Sequence, residues 1–124
     1  VKVIMNDRRK KGLEKEISRI VGITLLTEIK NEKIKNLVSI HKVELTKDGR
    51  YLDLTFSILD LKNNVNKEKI VEDLEKLKGF FRKTIGSQLS VRFVPEIRIH
   101  IDDSVEYGVK ISSILNEIKQ KDSE

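Results

Sequence analysis

Val43-Glu44-Leu45-Thr46-Lys47-Asp48-Gly49-Arg50-Tyr51-Leu52-Asp53-Leu54 decides the fold. At its centre stands Asp48-Gly49, the kind of pair that best tolerates the backbone of a tight turn between antiparallel strands. After the turn, Leu52, Leu54, Phe56 and Ile58 alternate with Asp53, Thr55 and Ser57. A strand of that pattern buries one face and wets the other. Before the turn, Leu37 to Leu45 is rich in β-branched and apolar residues, but its alternation slips. Val38 and Ile40 share one parity, Val43 and Leu45 the other. One extra residue near His41–Lys42, a β-bulge, reconciles the two halves. A hairpin with one apolar face is therefore predicted, and the remaining segments must cover that face.

Working outward, Leu13, Ile17, Ile20, Val21 and Leu25 recur at offsets of three and four, which predicts a helix from about Asn6 to Leu26. Asn6 or Asp7 can cap it. Glu28 to Asn36 reads as a polar connection, and Asp60 to Lys67 as a polar loop. A long helix is predicted from about Asn66 to Leu89, with Ile70, Leu74, Leu77, Phe81 and Ile85 forming its stripe. Gly79 interrupts it and Gly86 lies near its end; a mid-helix glycine points to a kink or a close backbone approach. Ile97, Ile99 and Ile101 mark a third strand over Glu96 to Ile101, begun by Pro95, which cannot donate inside a ladder. A last helix carries Ile111, Ile114, Leu115 and Ile118, with Asp103 and Glu106 at capping-box spacing. The order is helix, strand, strand, long interrupted helix, strand, helix. This is an α+β sandwich, a three-stranded sheet covered by helices on one face. There is no internal repeat and no low-complexity segment. Residues 1–118 are expected to form a single domain, followed by a short polar tail over 119–124.

The 124 residues suit one domain, and 38% hydrophobic residues suit one core. There is no cysteine, so disulfides and thiolate metal sites are excluded. No apolar run approaches the ~20 residues of a membrane span, and Val1 to Met5 is too short for a signal-peptide core. A cytoplasmic protein is expected. The net charge of +5 fits a polyanionic partner, although many ordinary surfaces are as basic. Its distribution says more. Residues 1–30 hold eight Lys or Arg against four acids, and residues 76–98 hold six against Glu96 alone. Residues 60–75 and 99–124 are net acidic.

Arg8-Arg9-Lys10-Lys11 opens the first helix, where cations oppose the helix dipole. A solvated helix start with Asp7, Glu14 and Glu16 nearby explains it as readily as a binding role. Lys76, Lys78, Arg82 and Lys83 surround Gly79, and Arg92 follows. Backbone donors at a bend, flanked by cations, suit a phosphate; an ordinary basic helix that tolerates a glycine is the plainer reading. These ten residues, Gly79 included, are the candidate RNA contacts. Catalytic chemistry has little to stand on. His41 and His100 fall on predicted strands without a carboxylate at metal-ligand spacing, and Asp102, Asp103 and Glu106 are explained by helix capping. Phosphate-loop and dinucleotide fingerprints are absent. Neither a cofactor nor a metal is expected. Aromatics are 5% with no Trp, which argues against a sheet that reads RNA by stacking.

Several stretches resemble one family. The hairpin quoted above, Leu77-Lys78-Gly79-Phe80-Phe81-Arg82, Arg92-Phe93-Val94-Pro95-Glu96-Ile97 and Asp102-Asp103-Ser104-Val105-Glu106-Tyr107-Gly108 are similar to bacterial ribosome-binding factor A. The resemblance runs from about Arg8 to Ile118. It implies a KH domain of type II topology, in which an Ala-x-Gly kink replaces the usual glycine loop. The matching triplet here is Leu77-Lys78-Gly79, with leucine in place of alanine. It further implies a cytoplasmic, monomeric, non-enzymatic factor that binds free small (30S) ribosomal subunits. Such a factor assists late maturation of 16S rRNA, including its 5′ end, and cold adaptation. A KH-type module of another ribonucleoprotein complex is the alternative.

Overall fold

The computed structural model describes residues 6–59, 66–89 and 93–102. Helix α1 spans Asp7–Thr27 and starts where the sequence sets it: the Asn6 side chain accepts a hydrogen bond from the Arg9 N–H at 2.8 Å. That satisfies one of the donors a helix start leaves open. Ile17, Ile20, Val21 and Leu25 are buried along one stripe.

The supposed polar connection after α1 is in part a helix, α2, Glu32–Leu37. Asn31 caps it, accepting from the N–H groups of Lys33 and Ile34, and Ile34 is buried. A six-residue helix with a single core residue shows no periodicity to detect, so local capping and one anchor decide it.

Strands β1, Val38–Leu45, and β2, Tyr51–Ile58, form the hairpin. Gly49 has φ 72°, and its N–H donates to the Thr46 carbonyl at 2.9 Å. The register shifts between Ile40 and Lys42, leaving His41 as the bulge residue. Strand β3, Glu96–Ile101, lies beside β2 and parallel to it, giving a mixed sheet of order β1-β2-β3. Leu52, Leu54, Phe56 and Ile58 are buried on one face.

Between β2 and β3 the long helix predicted over 66–89 is two helices, α3, Lys67–Lys76, and α4, Lys78–Gln88. The break falls at Leu77, φ −87° and ψ −2°, not at Gly79, which lies in the first turn of α4 without a positive φ. The Leu77 N–H reaches back only three residues, to the Leu74 carbonyl at 3.0 Å, the tighter spacing of a 3₁₀ turn. Its side chain packs against the core. Both arms are anchored: Ile70 and Leu74 from α3, Phe81 and Ile85 from α4 are buried, and the Phe81 ring lies 5.9 Å from that of Phe56. The predicted last helix, its Asp103–Glu106 capping box and the 119–124 tail lie outside the described residues.

Candidate nucleic-acid interface

The sheet has two distinct ends. At the hairpin end, Glu14 on α1 accepts from the Leu45 N–H at 2.7 Å, so the first turns of α1, with Arg8, Arg9, Lys10 and Lys11, lie at or beyond that end. The Glu96 N–H donates to the Arg50 carbonyl at 3.0 Å, which places the start of β3 there too. Lys78, Gly79 and Arg82 share a cavity of about 180 Å³ with Glu96 and Ile97. The two basic stretches, distant in sequence, therefore approach the same end of the sheet from different helices.

Their cations are not equally available. Arg8, Arg9, Lys11 and Lys83 are exposed and form no ion pair with a described residue. Lys10 pairs with Glu14 at 3.5 Å, Lys76 with Glu72 at 3.4 Å and Lys78 with Glu75 at 2.6 Å. The last pair spans the helix break. The Lys76 and Lys78 pairs are exposed and contribute little to stability, so a phosphate can compete for either lysine, whereas the Lys10–Glu14 pair is half-buried. Arg82 donates from Nη2 to the Val94 carbonyl at 3.1 Å, which anchors the segment before β3 and leaves further guanidinium donors. Lys76 belongs to α3 and does not line the cavity. Arg92 lies outside the described residues.

The opposite face of the sheet follows different chemistry. Arg98 falls in the second basic stretch of the sequence, but the strand period turns it away from the helices. It donates twice to Asp53, at 2.6 and 2.8 Å, and stacks 4.3 Å over the Tyr51 ring. His100 Nε2 lies 2.9 Å from the same carboxylate, and His41 Nε2 lies 2.7 Å from Asp102. Hydrogen bonding from Arg98 holds the Asp53 carboxyl below its ordinary range. Both histidines thus have a carboxylate beside them, which strand parity could not reveal because the partners come from neighbouring strands or the end of the sheet. No cluster of three or more metal-ligating side chains occurs among the described residues.

Sequence reasoning missed two features of the basic end. Glu75 could have been found, since it stands three residues before Lys78 on a helical stretch. The Val94 carbonyl that anchors Arg82 is a backbone group twelve residues away and leaves no mark in the sequence.

A mixed three-stranded sheet with helices on one face, a hairpin, and a broken helix pair leading to a parallel third strand is a KH-like domain of type II topology. Residues 9–115 match the family model of ribosome-binding factor A, and the chain belongs to that family. A ribosome-binding factor A of Fusobacterium nucleatum is 43% identical over 119 residues, covering 93% of this chain and 99% of the relative. The solution structure of a Thermotoga maritima protein described as a ribosome binding factor A is 33% identical with TM-score 0.64, covering 79% of this chain and 91% of that one. A Thermus thermophilus ribosome-binding factor A, fitted into the map of a 30S complex, shares the fold at 15% identity and TM-score 0.58, over 74% of this chain and 93% of that one. No helix among the described residues is long and apolar enough to cross a membrane.

Proposed function

We propose that this protein is a non-catalytic ribosome-binding factor that binds free small ribosomal subunits through rRNA and assists late maturation of 16S rRNA, including its 5′ end. A role in cold adaptation belongs to the same reading, as do action as a monomer, a cytoplasmic site of work and a single domain over residues 1–118. The observation that carries it is that two basic stretches approach the hairpin end of a KH-like sheet from different helices, in a chain of this family. A Thermus thermophilus relative fitted into a 30S complex supports the choice of subunit. Phosphates are held by Arg8, Arg9, Lys11, Arg82 and Lys83, while Glu14 and Glu75 compete with phosphate for Lys10 and Lys78. Contacts to the backbone and shape supply most of the affinity.

Co-sedimentation with purified small subunits, large subunits and intact ribosomes tests the partner; retention by free small subunits alone is expected. Arg82→Ala and Lys83→Ala should weaken binding and each reduce the log–log salt slope by about 0.7 to 0.9. Lys33→Ala and Lys35→Ala, on α2 at the far end of the sheet, remove the same charge and should matter less. Equal effects at both ends would dismiss the localised interface, and equal retention by large subunits would dismiss the partner.

A further inference from the structure

The exposed large apolar side chains divide by type. Ile23 and Leu26 on the C-terminal half of α1, and Leu59 after β2, stand at the far end of the sheet and are aliphatic. Phe80 on α4 and Phe93 before β3 accompany the basic end and are aromatic. Phe93 is the extreme case, 82% exposed.

The backbone that follows Phe93 is braced. Arg82 holds the Val94 carbonyl at 3.1 Å. A Cβ built on Gly86 would lie 2.9 Å from Val94 Cγ2, so the Val94 side chain already rests against α4. Pro95 confines Val94 to extended backbone, and Glu96 is tied to Arg50. The backbone is therefore fixed from Val94 onward, one residue after the ring, at the group that Arg82 grips.

An aromatic ring beside cations is the pairing that receives a nucleotide: the cation takes the phosphate and the ring takes the face of an unpaired base. We infer that Phe93 is a base-stacking platform, and that with Arg82 and Lys78 it forms a subsite for one unstacked nucleotide of single-stranded RNA. This rests on the RNA-binding reading above and adds to it a residue whose contribution is not electrostatic. Stacking tolerates every base, so the subsite selects for single-strandedness and not for sequence.

Because the chain has no tryptophan, Phe93→Trp supplies a single indole reporter at the site. Titration of the full chain with an unstructured oligouridine should quench that emission as the base stacks. Phe93→Ala should weaken oligouridine binding about tenfold, a typical loss for one stacked base, with an unchanged salt slope, while Phe93→Trp retains affinity. Arg82→Ala should instead lower the salt slope. If Phe93→Ala binds oligouridine as the parent does while Arg82→Ala weakens it, the platform is wrong and the RNA reading survives. If the parent and every variant fail to bind RNA, both fall. If Phe93→Ala weakens small-subunit binding but not oligouridine binding, the ring meets a ribosomal protein and the proposal is overturned.

Discussion

The two long helical stretches answer the same question differently. Helix α1 carries Gly12 and Gly22 and runs unbroken for 21 residues. The stretch from Lys67 to Gln88 carries Gly79 and Gly86, and it breaks at a leucine. Glycine is thus neither sufficient for a break nor the residue at which this one occurs. The dihedrals of Leu77 are open to any L-residue, so no special backbone freedom is needed there. Core packing is the remaining cause. Leu77 packs against the core between the anchors of α3 and α4, whereas α1 presents a single stripe to one side of the sheet.

The largest expected effect removes one anchor. Phe81→Ala should cost about 3–5 kcal/mol in urea unfolding, as buried aromatic truncations do. Ile20→Ala on α1 should cost about 2–5 kcal/mol. The discriminating measurement is native-state hydrogen exchange. If packing holds the break, loss of Phe81 deprotects amides around Leu77 more than loss of Ile20 deprotects any turn of α1. Equal, global loss of protection would mean that the break is a local backbone preference.

The glycines give a smaller and sign-resolved comparison. Gly79 faces open space, so Gly79→Ala should raise stability by about 0.5–1 kcal/mol, as Gly12→Ala should on α1. Gly86→Ala sets a new Cβ 2.9 Å from the branched Val94 side chain, and such overpacking typically costs about 1–3 kcal/mol. Thermal melts of the three variants read this directly. A destabilised Gly79→Ala would return the break to the glycine.

Much of this was legible in the sequence because it rests on period and local chemistry. The alternation in β2, the parity slip at the His41 bulge, the Asp48-Gly49 turn and the Asn6 cap each involve residues a few positions apart. The short α2 was not, since one buried isoleucine makes no pattern. The glycine alone points to Gly79, whereas the break falls at Leu77, the first residue of the kink triplet that the family resemblance implies, because its position depends on which side chain the core accepts. For the candidate interface, the charge clusters were legible, but their common end of the sheet follows from the Glu14–Leu45 and Glu96–Arg50 contacts. Arg98 was grouped with the basic stretch by sequence and separated from it by strand parity.

The smallest effect on stability carries the most information about the two basic stretches. Lysines in both are held against glutamates: Lys10 with Glu14 on α1, Lys76 with Glu72 on α3 and Lys78 with Glu75 across the break; Lys10 and Lys78 are the two nearest the hairpin end of the sheet. Glu75 is exposed and holds nothing else that is described, so Glu75→Gln should lower stability by only about 0.2–1 kcal/mol. Glu14 also accepts the Leu45 N–H at 2.7 Å; glutamine keeps an oxygen for that donor, so Glu14→Gln releases Lys10 without leaving a buried N–H unmatched. Each variant makes one more cation available to phosphate. A lysine that gains a phosphate contact should steepen the log–log salt dependence of RNA binding by about 0.7 to 0.9. Steepening in both variants means that both helices touch RNA. Steepening in Glu75→Gln alone would leave α4 as the contact and reduce the start of α1 to a solvated helix end. No steepening in either would mean that the lysines lie beyond the bound backbone, and the interface would shrink to Arg82, Lys83 and their neighbours.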